Sequence, residues 1–147
     1  MDKSQYMEFH HKNWEEKAFD LANQGISLES DDQNVAATFS WAAAAELAKT
    51  HLRDKEIYYW ILSGYGSSLV KCQRYQEAIE AANEALEWEA TKGQVLARMT
   101  LARALYGMGA IDGAIAYFQQ IYAMKGEAVF DAFPEFDKKM LADLMGL

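Results

Sequence analysis

Between Tyr58 and Tyr122 the chain writes one helical pattern twice, and this repetition limits the possible folds more than any other feature of the sequence. Displacing the chain against itself by about 36 residues, a period typical of stacked helical units, sets Gly66 on Ala102, Leu69 on Leu105 and Tyr75 on Ile111. The same shift sets Ala78 on Ala114 and Ile79 on Ile115. In the first copy Leu62, Tyr65, Gly66 and Leu69 fall on one helical face, Gln73 and Arg74 make a turn, and Ala78, Ile79, Ala82, Ala85 and Leu86 face inward on the return. Glu77, Glu80, Glu84 and Glu87 then point outward, and Gly66 admits a close neighbouring helix. In the second copy Leu101, Ala102 and Leu105 repeat the stripe, Gly107 to Gly109 turn the chain, and Ala114, Ile115, Phe118 and Ile121 return inward.

The flanks extend the same plan. Trp14, Ala18, Leu21 and Ala22 have helical spacing, with Tyr6 and Phe9 suggesting an earlier turn, Asn13 and Glu16 a start signal and Gly25 a stop. Ile26 to Glu29 reads as a connection, and Ser30 with Gln33 as a capping box opening a second helix. That helix is rich in alanine, with Phe39, Trp41 and Leu47 filling the gaps between small residues. Thr91 with Gln94 reads as a further capping box. Pro134 reads as the first position of a last helix that places Phe136, Met140, Leu141 and Leu144 on one side and Lys138, Lys139 and Asp143 outside, as a terminal unit covering the stack requires. The fold expected is all-α, a right-handed α-solenoid of antiparallel hairpins with about seven helices. Its parts are a degenerate first hairpin over 4–52, repeats over 57–89 and 92–124, and a capping helix over 130–145.

These residues resemble the tetratricopeptide repeat. Leu62, Tyr65, Gly66, Leu69, Tyr75 and Ala78 in the first unit, and Leu101, Ala102, Leu105, Ala114 and Phe118 in the second, occupy that family's signature places. The separation of Gly66 from Ala78 equals that of Ala102 from Ala114, and Tyr75 to Glu80 is the most family-like run. Arg98 stands where the family prefers a large apolar residue, Ala82 is small for its place, and Ala90 and Gly126 replace the closing proline. The period also exceeds the family's usual length of about 34 residues.

Chemistry is sparse. With a net charge of −8, the chain lacks the clustered cations that a nucleic acid's phosphates demand. No apolar run approaches a membrane span or a signal peptide, and a single cysteine, Cys72, fits a reducing compartment, so a cytoplasmic location is expected. His10 and His11 are adjacent and point in different directions on a helix, which disfavours a metal site. Asp31 and Asp32 read as first-turn acids favoured by the helix dipole, not as paired catalytic carboxylates. Gly64-Tyr65-Gly66-Ser67-Ser68 lacks the lysine and spacing of a phosphate loop and falls inside the helical stripe. Cys72, without a histidine nearby in sequence, reads as a packed or half-exposed thiol. The expectation is no enzyme and no cofactor.

The resemblance implies a concave face lined by the first helix of each hairpin. That face falls on Trp60, Ser63, Ser67 and Lys71 in the first unit and on Leu96, Met99, Arg103 and Tyr106 in the second, a composition that suits an interface. Its only cations are Lys71 and Arg103, too few for the family's clamp on chaperone C-terminal carboxylates. The expected role is a protein-binding adaptor that holds a segment of a partner protein. One version resembles the small acidic three-hairpin chaperones of bacterial secretion systems. An acidic inhibitor or immunity-type protein blocking a basic toxin or enzyme is the alternative, and a homodimer through the aromatic-rich ends is a third.

Overall fold

The computed structural model describes the backbone of residues 3–147 and the side chains of residues 13–147; Tyr6, Phe9, His10 and His11 lie outside the described side chains. Among the described residues the chain is all-helical: α1 (Lys3–Ser30), α2 (Asn34–His51), α3 (Glu56–Lys71), α4 (Tyr75–Lys92), α5 (Leu96–Gly107), α6 (Ile111–Lys125), α7 (Ala128–Ala132) and α8 (Lys138–Leu144). Each helix from α1 to α6 packs on the next, and α3 also meets α5 and α1. The result is a stack of antiparallel hairpins.

Most of the repeat stripes turn inward as the sequence places them, while Tyr65, Ile79, Leu86, Leu105 and Ile115 are only half-buried. Leu62, Gly66, Leu69, Ala78, Ala82 and Ala85 are buried, as are Leu101, Ala102, Ala114, Phe118 and Ile121. Alanine dominates α2 and α4 on their inner faces, so their axes come close to α3 and the larger residues Trp41, Tyr58 and Ile61 fill what remains. The turn after α3 is sharp: Gln73 takes a left-handed conformation, and Tyr75 then starts α4.

α1 does not stop at Gly25. It continues to Ser30, because Gly25 is a contact site for α2 and not a terminator. A Cβ at Gly25 would sit 2.8 Å from the Trp41 indole, and one at Gly64 on α3 would clash with the same ring from the other side. Trp41 thus lies between two helix backbones that only glycine allows it to approach. Gly66 is less constrained, since an added Cβ would meet Thr100 at an ordinary 3.4 Å.

Several capping signals also resolve differently. Asn13 lies inside α1, and Ser30 back-bonds to the Ile26 carbonyl from the last turn instead of opening α2. Asp31 and Asp32 form the α1–α2 turn, with Asp32 in the left-handed region that aspartate tolerates. Thr91 similarly donates to the Trp88 carbonyl within α4, and Gly93 terminates that helix in a left-handed conformation. The acceptor that caps α5 comes from the preceding helix: the Glu89 carboxylate receives the Ala97 N–H, and Glu89 is fully buried. Burial pushes its carboxyl above the usual range, against the pull of the Ala97 N–H.

The C-terminal cover is two short helices instead of one. Proline disfavours helical geometry in the residue before it, so Phe133 leaves α7 with φ −124° and ψ 65° ahead of Pro134. α8 begins only at Lys138, where the Asp137 side chain accepts from the Met140 N–H at 3.0 Å. Between the two, Phe133 and Phe136 plug the end of the stack, edge-on to Phe118 at ring separations of 4.9 and 5.5 Å. Leu141 is buried as expected, whereas Met140 is on the exposed side with Lys138, Lys139 and Asp143. Phe39, expected among the gap-fillers of α2, is 71% exposed. It lies two positions from Trp41, a spacing that puts it on a different side of the helix.

Candidate functional site

On α3, Trp60, Gly64, Ser67 and Lys71 recur at helical spacing and share a face. Leu96, Thr100 and Arg103 do the same on α5, and Ile26 and Glu29 on the last turns of α1. These faces meet around two cavities that adjoin at Ser67. One, of about 230 Å³, is walled by Ile26, Trp41, Trp60 and Leu96; the other, of about 340 Å³, by Val70, Lys71, Thr100, Arg103 and Glu135. Together they form a groove running across α1, α3 and α5, apolar at one end and charged at the other.

Both cations of the groove are engaged within the chain. Lys71 Nζ is 3.1 Å from Glu29 Oε2, and the other oxygen of Glu29 accepts from Trp41 Nε1 at 3.1 Å, so one carboxylate ties α1, α2 and α3 together. Arg103 grips both carboxylate oxygens of Glu135, at 2.6 and 3.0 Å, and donates to the Ala132 carbonyl at 2.8 Å. Its guanidinium also lies 4.7 Å from the Phe133 ring centroid. Burial tends to raise the Glu135 carboxyl, but the Arg103 hydrogen bonds and charge prevail and hold it below its usual value. Arg103 therefore fastens the C-terminal cover to α5. The groove presents ion pairs to a ligand, not bare positive charge.

Of the face read from the sequence, Trp60, Ser67, Lys71, Leu96 and Arg103 line this groove. Ser63 does not: it is 3% exposed, and its hydroxyl is buried without a hydrogen-bond partner. Met99 packs on the C-terminal core, and Tyr106 meets Phe136 edge-on at 4.8 Å. Trp60 is half-buried, stacked on Phe19 of α1 at 5.8 Å, so it is both wall and packing residue. Sequence reasoning missed Ile26 and Glu29, because the Gly25 stop signal removed their turn from the helix. It missed Glu135 because that side chain reaches α5 from a distant segment.

The hydroxyls and thiol near the groove are committed to packing. Thr38 Oγ1 donates back to the Asn34 carbonyl at 2.9 Å and lies 2.9 Å from Ser68 Oγ and 3.3 Å from Cys72 Sγ, joining α2 to α3. His51 stacks on Trp14 at 3.7 Å at the far end of α2. Among the described residues no three His, Cys, Asp or Glu side chains converge as a metal site, and no helix is long and apolar enough to cross a membrane. The geometry offers shape, apolar contact and paired charges.

These features define a helical-hairpin stack with a groove along one side. Comparison with protein-family models, curated proteins and solved structures returns no match.

Proposed function

We propose that the chain is a non-enzymatic, tetratricopeptide-like binding module whose α1–α3–α5 groove holds a segment of a partner protein. The observation that carries this reading is the pair of adjoining cavities at Ser67, which gives a continuous groove with an apolar pocket at Trp60, Leu96 and Ile26. An extended or helical segment would seat an apolar side chain in that pocket, and its polar groups would meet the Lys71–Glu29 and Arg103–Glu135 pairs. A cytoplasmic chaperone of a secreted protein is the specific version we favour. The net charge of −8 supports a second reading, an acidic inhibitor or immunity-type protein drawn to a basic toxin or enzyme.

Copurification from the native source followed by mass spectrometry separates the two, since a secreted effector supports the chaperone and a basic toxin the inhibitor. Ser67→Arg tests the groove itself, because it fills the junction of the cavities without removing a core side chain. The captured partner should be lost with the melting temperature nearly unchanged. Undiminished capture by this variant would refute the groove as the binding site.

A further inference from the structure

On the opposite side of α3 lies a second surface. Tyr58, Leu62 and Tyr65 point away from the Trp60–Ser67–Lys71 face, into a cleft of about 570 Å³ between α2 and α4. Four glutamates, Glu46 of α2 and Glu77, Glu80 and Glu84 of α4, line this cleft against one lysine, Lys49. Glu77 is paired with Arg74, and Glu84 accepts the Tyr58 hydroxyl at 2.6 Å. Glu46 and Glu80 form no ion pair among the described residues.

The apolar part of the same surface is on α2. From Asn34 to Ala45 this helix contains no charged residue, although much of it faces outward. Val35 and Phe39, one turn apart, are 68% and 71% exposed. Ala43, a further turn along, is exposed and already lines the cleft. Exposed valine and phenylalanine thus lead along one helix stripe into a pocket rimmed by carboxylates. A solvated helix face ordinarily carries charge at such positions, so this stripe lacks the residues that would suit it to water.

Charge selects the occupant. A second copy of this chain, at −8, would bring acidic surface against acidic surface, and a two-fold pairing through this face would set its glutamates against one another. We propose that the α2–α4 face docks a basic amphipathic segment of a partner protein, whose apolar residues cover Val35 and Phe39 while its lysines or arginines reach Glu46 and Glu80. This surface is separate from the α1–α3–α5 groove and does not depend on it.

The test is fluorescence anisotropy of the full chain with two labelled synthetic helical peptides of identical apolar residues, one bearing lysines and the other glutamates on its polar face. The lysine peptide should bind and the glutamate peptide should not. Phe39→Ser and Glu46→Lys/Glu80→Lys should each weaken the lysine peptide by about tenfold or more, the loss expected when a central anchor or its charge partner is removed. Raising salt should weaken binding further, and Ser67→Arg should leave it intact. Phe39 is largely exposed, so its replacement leaves the core untouched. Equal binding of both peptides, no response to the Glu46/Glu80 reversal, or an equal loss in Ser67→Arg would overturn the proposal. A wild-type dimer that Phe39→Ser converts to monomer in analytical ultracentrifugation would overturn it too, by naming a second copy as the occupant.

Discussion

Glu89 offers a perturbation whose size and pH dependence both follow from the structure. The side chain is fully buried, one oxygen accepts the Ala97 N–H at the start of α5, and the other lies buried without a hydrogen-bond partner. Glutamine keeps an acceptor for Ala97 and removes a charge that burial disfavours, so Glu89→Gln should be at least as stable as the parent at pH 7. Alanine removes the acceptor, at about 1 kcal/mol for a lost cap, and two buried methylenes at about 0.8 kcal/mol each. Glu89→Ala should therefore lose roughly 2–4 kcal/mol, with each kcal/mol lowering the melting temperature by about 2–4 °C in a chain of this size. The sign of the pH effect follows from the raised folded-state pKa: the folded chain holds the Glu89 proton more tightly than the unfolded chain. Its contribution to stability is greatest below the unfolded-state value and declines as pH rises toward the folded one. Denaturant unfolding followed by circular dichroism from pH 4 to pH 8 reads this as the difference between parent and Glu89→Gln, in which other titrating groups cancel. The stability of the parent relative to the glutamine variant should fall as pH rises. A difference that grows with pH, or a glutamine variant as damaged as the alanine one at pH 7, would refute this account of the buried carboxylate.

Gly64→Ala should lower stability by about 1–3 kcal/mol in thermal unfolding, because its Cβ enters the space of the Trp41 ring; an unchanged melting temperature would show that the indole has room to move. Arg103→Glu should cost about 1–2 kcal/mol by breaking the Glu135 pair and the Phe133 stack, and faster hydrogen exchange should appear in 128–144. Any loss of partner binding in that variant must be compared with Ser67→Arg before it is assigned to direct contact. Phe118→Ala, in the buried aromatic cluster with Phe133 and Phe136, should cost about 3–5 kcal/mol, measured by urea denaturation.

Half of the candidate groove was legible because it depends on helix periodicity. Once Leu62, Gly66 and Leu69 are assigned inward, Trp60, Ser67 and Lys71 must share another face of the same helix, whatever the partner helices are. Residues at the edge of a stripe were harder to place. Ser63 and Met99 sit close to the boundary between faces, and only the positions of α4 and the C-terminal cover decide that they turn inward. Lys71 and Arg103 read as free cations from sequence, whereas each meets a carboxylate brought from a remote segment.

The errors at helix ends share one cause. Gly25, Ser30 and Thr91 are local signals, and each was overruled by a packing partner or a stronger neighbour: Trp41 against Gly25, α1 extending as far as Ser30, and Glu89 capping α5. A cap contributes about 1 kcal/mol, less than burying one large side chain, so tertiary contact wins where they conflict. Phe39 shows the same limit from the other direction. Its hydrophobicity says that it prefers burial, and only the arrangement of α2 against α1 and α3 leaves it facing out. The sequence by itself determined the helical class, the two central hairpins and their inward faces, because these follow from periodicity repeated within one chain. The tertiary structure alone decided where α1 ends, which charges are paired and which apolar residues remain exposed, because those depend on groups far apart in sequence meeting in space.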